Sequence, residues 1–137
     1  MVSGWWLECS TERENIMIQS YNDLLVWKRS IELVEEVYKL TRYIPKEETY
    51  GLISQMRRSA ISIPSNIAEG QQRRTTKDFI SFLYIARGSN AELKKQCLIC
   101  IRLHFLSKEQ CQKTVSLSDE IGKMLSKMIA SLSDNNE

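Results

Sequence analysis

The residues best suited to metal chemistry are grouped near position 100 of this 137-residue chain. Cys97, Cys100 and His104 are spaced so that an α-helix would bring them to one face, and Cys111 follows seven residues later. The same three positions continue a seven-residue apolar repeat, in which a free cysteine packs as a small hydrophobic side chain. A structural zinc ion usually holds a loop closed and is not usually bound along three turns of a regular helix. We therefore predict core packing here, with no metal and no other cofactor.

Catalytic signatures are absent from the sequence. His104 is the only histidine, and it ends the apolar face next to Phe105, which favours a core or capping role. The chain contains no nucleophile elbow, no glycine-rich phosphate-binding loop and no outstanding pair of carboxylates. We predict no catalytic residue and expect that the protein is not an enzyme.

Charge is distributed unevenly along the chain. The net charge is only +2, but residues 1–56 carry 6 basic and 9 acidic side chains, residues 57–95 carry 8 and 3, and residues 96–137 carry 5 of each. A basic patch is typical of a polyanion-binding surface, although a surplus of five also occurs on plain solvated surfaces. The candidate nucleic-acid-binding residues are Arg57, Arg73, Arg74, Lys77, Arg87, Lys94 and Lys95.

Four amphipathic segments must position these residues, at about 23–43, 47–70, 75–105 and 107–133. Asp23 is the predicted N-cap of the first helix, and Thr75 is that of the third. Pro64 inside the second segment predicts a kink. Ser107 and Gln110 match a capping box at the start of the fourth. The connections are short, so we predict an all-α fold, an antiparallel up-down-up-down four-helix bundle with a kinked second helix.

The two ends of the chain do not follow this periodicity. Residues 1–16 are predicted to be a disordered extension outside the bundle, residues 17–133 to be the single domain, and residues 134–137 to be a polar tail. No stretch approaches the ~20 apolar residues of a membrane span, and no secretory signal precedes the cysteines. We expect a cytoplasmic protein with reduced cysteines and no membrane partner.

A polar row runs beside the apolar stripe of the second helix. The predicted structural network consists of Gln55, Arg58, Ser62, Asn66, Glu69 and, from the third helix, Glu92. The short side chains near Pro64 can bond carbonyl groups that the proline leaves free. Antiparallel pairing about residue 73 or 74 places Arg58 near Ser89 and within one turn of Glu92. We predict an Arg58–Glu92 ion pair; the alternative is that both side chains point to water.

At these residues the chain resembles a family of small bacterial four-helix-bundle proteins encoded by intervening sequences of large-subunit ribosomal RNA genes. The most specific match is the segment Ser-Ile-Pro-Ser-Asn-Ile-Ala-Glu-Gly at residues 62–70. Other matching pieces are Val26-Trp27-Lys28, Gly51-Leu52, Gly88-Ser89 and Glu92-Leu93. The resemblance covers about residues 24–132.

The resemblance implies a ring-like homopentamer without known enzymatic activity. The family is also similar to the accessory protein of diversity-generating retroelements, a basic pentameric barrel that binds nucleic acid and partners a reverse transcriptase. Two hypotheses follow for this chain. One is an oligomeric scaffold that binds structured RNA through its basic surface. The alternative is a protein–protein interaction module, for example a reverse-transcriptase accessory protein, with no direct nucleic-acid contact.

The first helix supplies a separate argument for self-association. It carries two neighbouring apolar stripes, one through Val26, Leu33 and Val37 and one through Trp27 and Val34. Together they form a face wider than a two-helix seam needs. We expect a homo-oligomer that covers the surplus.

Overall fold

Four long helices make up the part of the chain that the structure, a computed structural model, describes: residues 17–135, with side chains described for residues 21–134. They are α1 (Met17–Thr41), α2 (Ser54–Gln71), α3 (Thr76–Arg102) and α4 (Lys108–Asn135). Each helix packs against the next, and α4 packs back on α1. The predicted all-α four-helix bundle is confirmed. The predicted extension at residues 1–16 lies outside the described residues.

The first helix begins earlier than predicted, and several of its apolar side chains are buried. It starts at Met17, so Asp23 is not its N-cap but an internal residue that is only 5% exposed. Leu33 and Val37 are fully buried, and Trp27 on the second stripe is 7% exposed. The first stripe is therefore covered within one copy of the chain, whereas Val34 on the second stripe is only partly buried.

The second helix is joined from kinked pieces, as predicted, but its irregular residue is not the proline. A 3-10 turn at Lys46–Glu48 and a wide turn at Thr49–Ile53 precede α2, and Gly51 has non-helical dihedrals (φ −111°, ψ −112°). A Cβ on Gly51 would lie 2.9 Å from the Glu48 carboxylate, which accepts a hydrogen bond from the Leu52 amide at 3.3 Å. Glycine thus permits a carboxylate to approach the chain closely here. Pro64 lies inside the continuous helix α2 and is buried.

The core is an apolar seam shared by all four helices. Its largest fully buried side chains include Leu33, Met56, Ile63, Ile67, Leu83, Leu93, Ile121 and Leu125. Burying each such side chain contributes about 1.5–3 kcal/mol, so this seam supplies most of the driving force for folding. Cys97, Cys100 and Cys111 belong to the same cluster, which confirms their predicted packing role. Cys100 Sγ lies 3.6 Å from Met56 Sδ.

His104 ends α3 through its backbone, not through its side chain. Its φ is +63°, the one positive φ of a non-glycine residue in the described part of the chain. The Phe105 amide donates to the Cys100 carbonyl at 2.9 Å, and the His104 amide donates to Ile101 at 3.0 Å. This pair of hydrogen bonds is a Schellman motif. The predicted capping position is therefore confirmed, but the side chain is exposed and not in the core.

The fourth helix starts as its capping box predicts. Gln110 Oε1 accepts from the Ser107 amide at 2.9 Å, and Ser107 Oγ accepts from the Gln110 amide at 3.0 Å. The helix continues to Asn135, so the first two residues of the predicted polar tail are helical. Within residues 17–135, no helix combines the length and apolarity that crossing a membrane requires.

Replacing His104 by glycine should stabilise the bundle. A left-handed backbone conformation costs a residue with a Cβ about 1 kcal/mol, whereas glycine adopts it freely. We expect H104G to raise the free energy of unfolding by about 0.5–1 kcal/mol in urea titrations followed by circular dichroism. His104→Val is the control and should lower it, because a β-branched side chain tolerates this conformation worst. Equal stability of the two variants would contradict this account.

Candidate nucleic-acid interface

The connection between α2 and α3 is a tight turn held by a glycine and a helix cap. A Cβ on Gly70 would lie 2.8 Å from Phe79 Cδ1 and 2.9 Å from Phe82 Cβ, so only glycine lets the start of α3 approach this closely. Thr75 caps α3, and its hydroxyl accepts from the Asp78 amide at 3.1 Å. The two helices therefore meet at a defined angle, and the residues between them are held at the end of the bundle.

Three predicted nucleic-acid-binding residues lie at this turn: Arg73, Arg74 and Lys77, which we call the turn cluster. All three are exposed. Arg73 Nη2 lies 2.7 Å from Glu69 Oε1, and its guanidinium carbon is 4.7 Å from the centre of the Phe82 ring. Within the described residues, neither Arg74 nor Lys77 has an anionic side-chain partner. The turn cluster thus presents at least two cations that no described acidic side chain compensates.

The other four predicted residues lie on the helices, and most are already engaged. Arg57 donates through Nε to Thr41 Oγ1 at 2.9 Å. Arg87 Nη1 lies 3.4 Å from Ser126 Oγ, and Lys94 Nζ lies 2.5 Å from Asp119 Oδ1. Lys95 is exposed and has no anionic partner among the described residues.

These contacts divide the seven residues between different sides of the bundle. Arg57 packs on α1, because its guanidinium carbon lies 4.3 Å from the centre of the Tyr38 ring. Arg87 and Lys94 contact α4. The α1–α2 and α3–α4 grooves lie on opposite sides of a four-helix bundle. The structure therefore does not gather all seven predicted residues into one patch; the turn cluster is its compact part.

The predicted polar network is only partly assembled. Asn66 Nδ2 donates to the Ser62 carbonyl at 2.8 Å and to Ser62 Oγ at 2.9 Å. Ser62 Oγ also lies 2.8 Å from Ser89 Oγ, which links α2 to α3. Glu69 joins this region through its ion pair with Arg73. Gln55 is exposed and takes no part in the network.

The predicted Arg58–Glu92 ion pair does not form. Arg58 is exposed, and Glu92 Oε1 instead accepts from Gln96 Nε2 at 3.4 Å. Ser89 lies against Ser62 and not against Arg58, so the register of α3 differs by about one helical turn from the prediction. The prediction counted residues from the middle of the loop. Helix packing sets the register of two helices, and residue counting from the loop does not include it.

A second polar pair, between α3 and α4, was not recognised as a pair from the sequence. Asn90 Nδ2 donates to the Ser118 carbonyl at 2.9 Å, and Ser118 Oγ donates to Asn90 Oδ1 at 2.8 Å. Asn90 is 4% exposed and Ser118 is 1% exposed. Asn90 lies seven residues before Cys97 and therefore occupies the same apolar repeat. A polar residue at such a position requires a buried partner. No sequence pattern around Ser118 indicated that it would be this partner.

Burial keeps the thiols of Cys97, Cys100 and Cys111 in their protonated form. Burial raises the pKa of the Cys97 thiol to about 12 and that of Cys100 to about 11. Burial also raises the pKa of Cys111. All three are therefore protonated near neutral pH, whereas a cysteine nucleophile reacts as the thiolate. Among residues 21–134, no group of three or more histidine, cysteine, aspartate or glutamate side chains could hold a metal ion.

The fold and this surface together define a four-helix-bundle protein with a basic turn between its second and third helices. The model of the 23S rRNA-intervening sequence protein family matches residues 22–127, and the chain belongs to that family. A protein of unknown function from the S23 ribosomal protein family of Bacteroides thetaiotaomicron VPI-5482, solved at 1.70 Å, has a similar fold. Its TM-score is 0.74 at 29% identity, over 80% of this chain and 98% of that one. The search of curated proteins finds no match.

Replacing Asn66 by leucine should destabilise the bundle. The substitution removes two hydrogen bonds to Ser62 and leaves the serine pair between α2 and α3 with one partner fewer. We expect N66L to lower the free energy of unfolding by about 1–3 kcal/mol in urea titrations. The matched control is Gln55→Leu on the exposed side of the same helix, which should change it by less than about 0.5 kcal/mol. An equal decrease in the free energy of unfolding in both variants would show that the Asn66 hydrogen bonds make no specific contribution to stability.

Proposed function

We propose that this protein is a non-enzymatic, oligomeric helical scaffold that binds structured RNA through a basic surface. The observation that carries the proposal is the turn cluster, where Arg74 and Lys77 lie exposed without an anionic side-chain partner in the described part of the chain. Exposed cations of this kind bind phosphates and release their counterions. Structured RNA holds phosphates at fixed positions, so it is the first ligand class to test. Binding of this type requires no catalytic residue, metal or cofactor.

Multivalency strengthens the proposal. One copy of the turn cluster offers too few charges for tight binding at physiological salt. A homopentamer, the assembly that the family resemblance implies, would repeat the cluster five times, and several weak contacts on one RNA then act together. Recognition would depend on RNA shape and phosphate positions more than on base sequence.

Self-association is supported most directly by α3. Its outer side and the residue that follows its last turn carry five large apolar residues, each between 46% and 58% exposed: Tyr84, Ile85, Leu98, Ile99 and Leu103. Exposed apolar residues concentrated on one helix are typical of an interface. We propose that this side of α3 contacts another copy of the chain.

Charge reversal at the turn cluster should abolish RNA binding. We expect the R73E/R74E/K77E variant to lose measurable affinity for a structured RNA hairpin at ~50 mM KCl, where phosphate contacts are strongest. The wild type should bind, and its affinity should fall steeply towards physiological salt because counterions compete for the phosphates. Fluorescence anisotropy with a labelled hairpin measures both effects.

The matched control reverses three other exposed lysines. Lys28, Lys108 and Lys123 lie on α1 and α4 and form no ion pair among the described residues. K28E/K108E/K123E changes the net charge equally, so it should retain most of the affinity if the turn cluster is the binding site. Equal loss in both triple variants would point to net charge alone. No binding by the wild type at ~50 mM KCl would reject the RNA proposal.

A protein partner is the second candidate function, and the apolar side of α3 is the observation that favours it. In this version the chain is an interaction module, such as a reverse-transcriptase accessory protein, that makes no direct nucleic-acid contact. The two candidates differ in the wild-type measurement above, because only the first requires the chain itself to bind RNA.

Placing acids on the outer side of α3 should dissociate the oligomer. Ile85 and Ile99 are two heptads apart and so lie on the same side of the helix. We expect I85E/I99E to be monomeric at micromolar concentration and the wild type to be a multimer, as measured by size-exclusion chromatography with light scattering. The control S116E/A130E adds the same charge to exposed positions of α4 and should stay multimeric. A monomeric wild type would overturn the proposed assembly.

A further inference from the structure

A shallow groove of about 610 Å³ runs beside the start of α2, at the end of that helix remote from the turn cluster. Its lining combines aromatic, apolar and cationic side chains, including Tyr38, Tyr50, Ile53, Arg57, Arg58 and Ile61. Tyr50 is 96% exposed, more than any other large hydrophobic residue in the described part of the chain. Both faces of its ring are therefore available to a flat partner.

The backbone explains why Tyr50 stands at the rim of this groove. Gly51 interrupts the helical dihedrals directly after it, so Tyr50 does not continue the buried side of α2. The Glu48 carboxylate binds the Leu52 amide and fixes the turn on both sides of this glycine. An exposed aromatic ring is thus held on an ordered turn.

The two arginines of the groove supply a fixed cation and a free one. Arg57 stacks on Tyr38 at 4.3 Å and is anchored through Nε to Thr41. Its two Nη nitrogens have no acceptor among the described residues. Arg58 is exposed and makes no ion pair within them. A guanidinium group oriented in this way suits the oxygens of a phosphate.

The charge of the groove favours an anionic ligand over a neutral one. Its lining contains two arginines and no acidic residue. The nearest acid along the chain, Glu48, directs its carboxylate to the backbone amide of Leu52. A ligand with flat aromatic groups joined by regularly spaced negative charges would match both the ring and the cations.

We propose that this surface, which we call the Tyr50 groove, binds single-stranded RNA. One unpaired base stacks on the Tyr50 ring, while neighbouring phosphates contact Arg57 and Arg58. The ligand class rests on the proposed function, but the surface is separate from the turn cluster, because the two lie at opposite ends of α2. Stacking tolerates any base, so the groove would hold an unpaired segment beside a structured element.

The test measures binding of a fluorescein-labelled adenosine oligoribonucleotide of about ten nucleotides by anisotropy at ~50 mM KCl. We expect Tyr50→Ala to weaken binding about tenfold, because the stacking contact is lost. Tyr50→Phe keeps the ring and should bind as the wild type does. Tyr21→Ala is the matched control, since Tyr21 is 67% exposed but lies on α1 away from the groove, and it should have no effect.

A second probe separates base stacking from phosphate attraction. An abasic oligomer of the same length keeps the phosphates and lacks the bases, so the wild type should bind it as weakly as Tyr50→Ala binds the intact strand. Equal affinity of Tyr50→Ala and the wild type for the intact strand would overturn the inference. If the hairpin still binds through the turn cluster, the proposed function stands without this groove. If the wild type binds neither RNA, both proposals fail.

Discussion

The arrangement of the bundle depends on two polar pairs, one buried in its apolar seam and one partly buried beside it. A seam of leucine and isoleucine side chains can slide by a heptad with little loss, because one apolar contact replaces another. Buried polar groups cannot slide, since an unmatched donor or acceptor costs about 1–3 kcal/mol. Asn90 with Ser118 sets α3 against α4, and Ser62 with Ser89 sets α3 against α2. The core drives folding, and these pairs select its register.

This register decides which charges remain available at the surface. It brings Lys94 to Asp119 and Arg87 to Ser126, so two cations of the basic segment are engaged by α4. Among the described residues, the cations in the turn after Gly70 have fewer acidic partners. A surplus of positive charge spread over residues 57–95 therefore becomes a compact cluster at one end of α2. A second, arginine- and tyrosine-lined groove lies at the other end.

Local interactions made several features predictable from the sequence. The cap of α3 at Thr75 and the capping box at Ser107 each involve residues three positions apart. Both can therefore be recognised in the sequence without knowledge of the fold. The same holds for the four apolar stripes and for the core position of Cys97. Gly51 was harder, because its irregular backbone accompanies a close approach of the Glu48 carboxylate, and the sequence pattern pointed to Pro64 instead.

The sequence by itself determined the number of helices, their caps, the core stripe and the location of the positive charge along the chain. These depend on contacts within a few residues and on helical periodicity. Only the tertiary structure decided the register, which placed Ser89 against Ser62 and left Arg58 without an ion pair among the described residues. It also left large apolar side chains of α3 exposed and split the basic residues between opposite sides. Those outcomes depend on which helices meet, and the packing of side chains distant in sequence decides that.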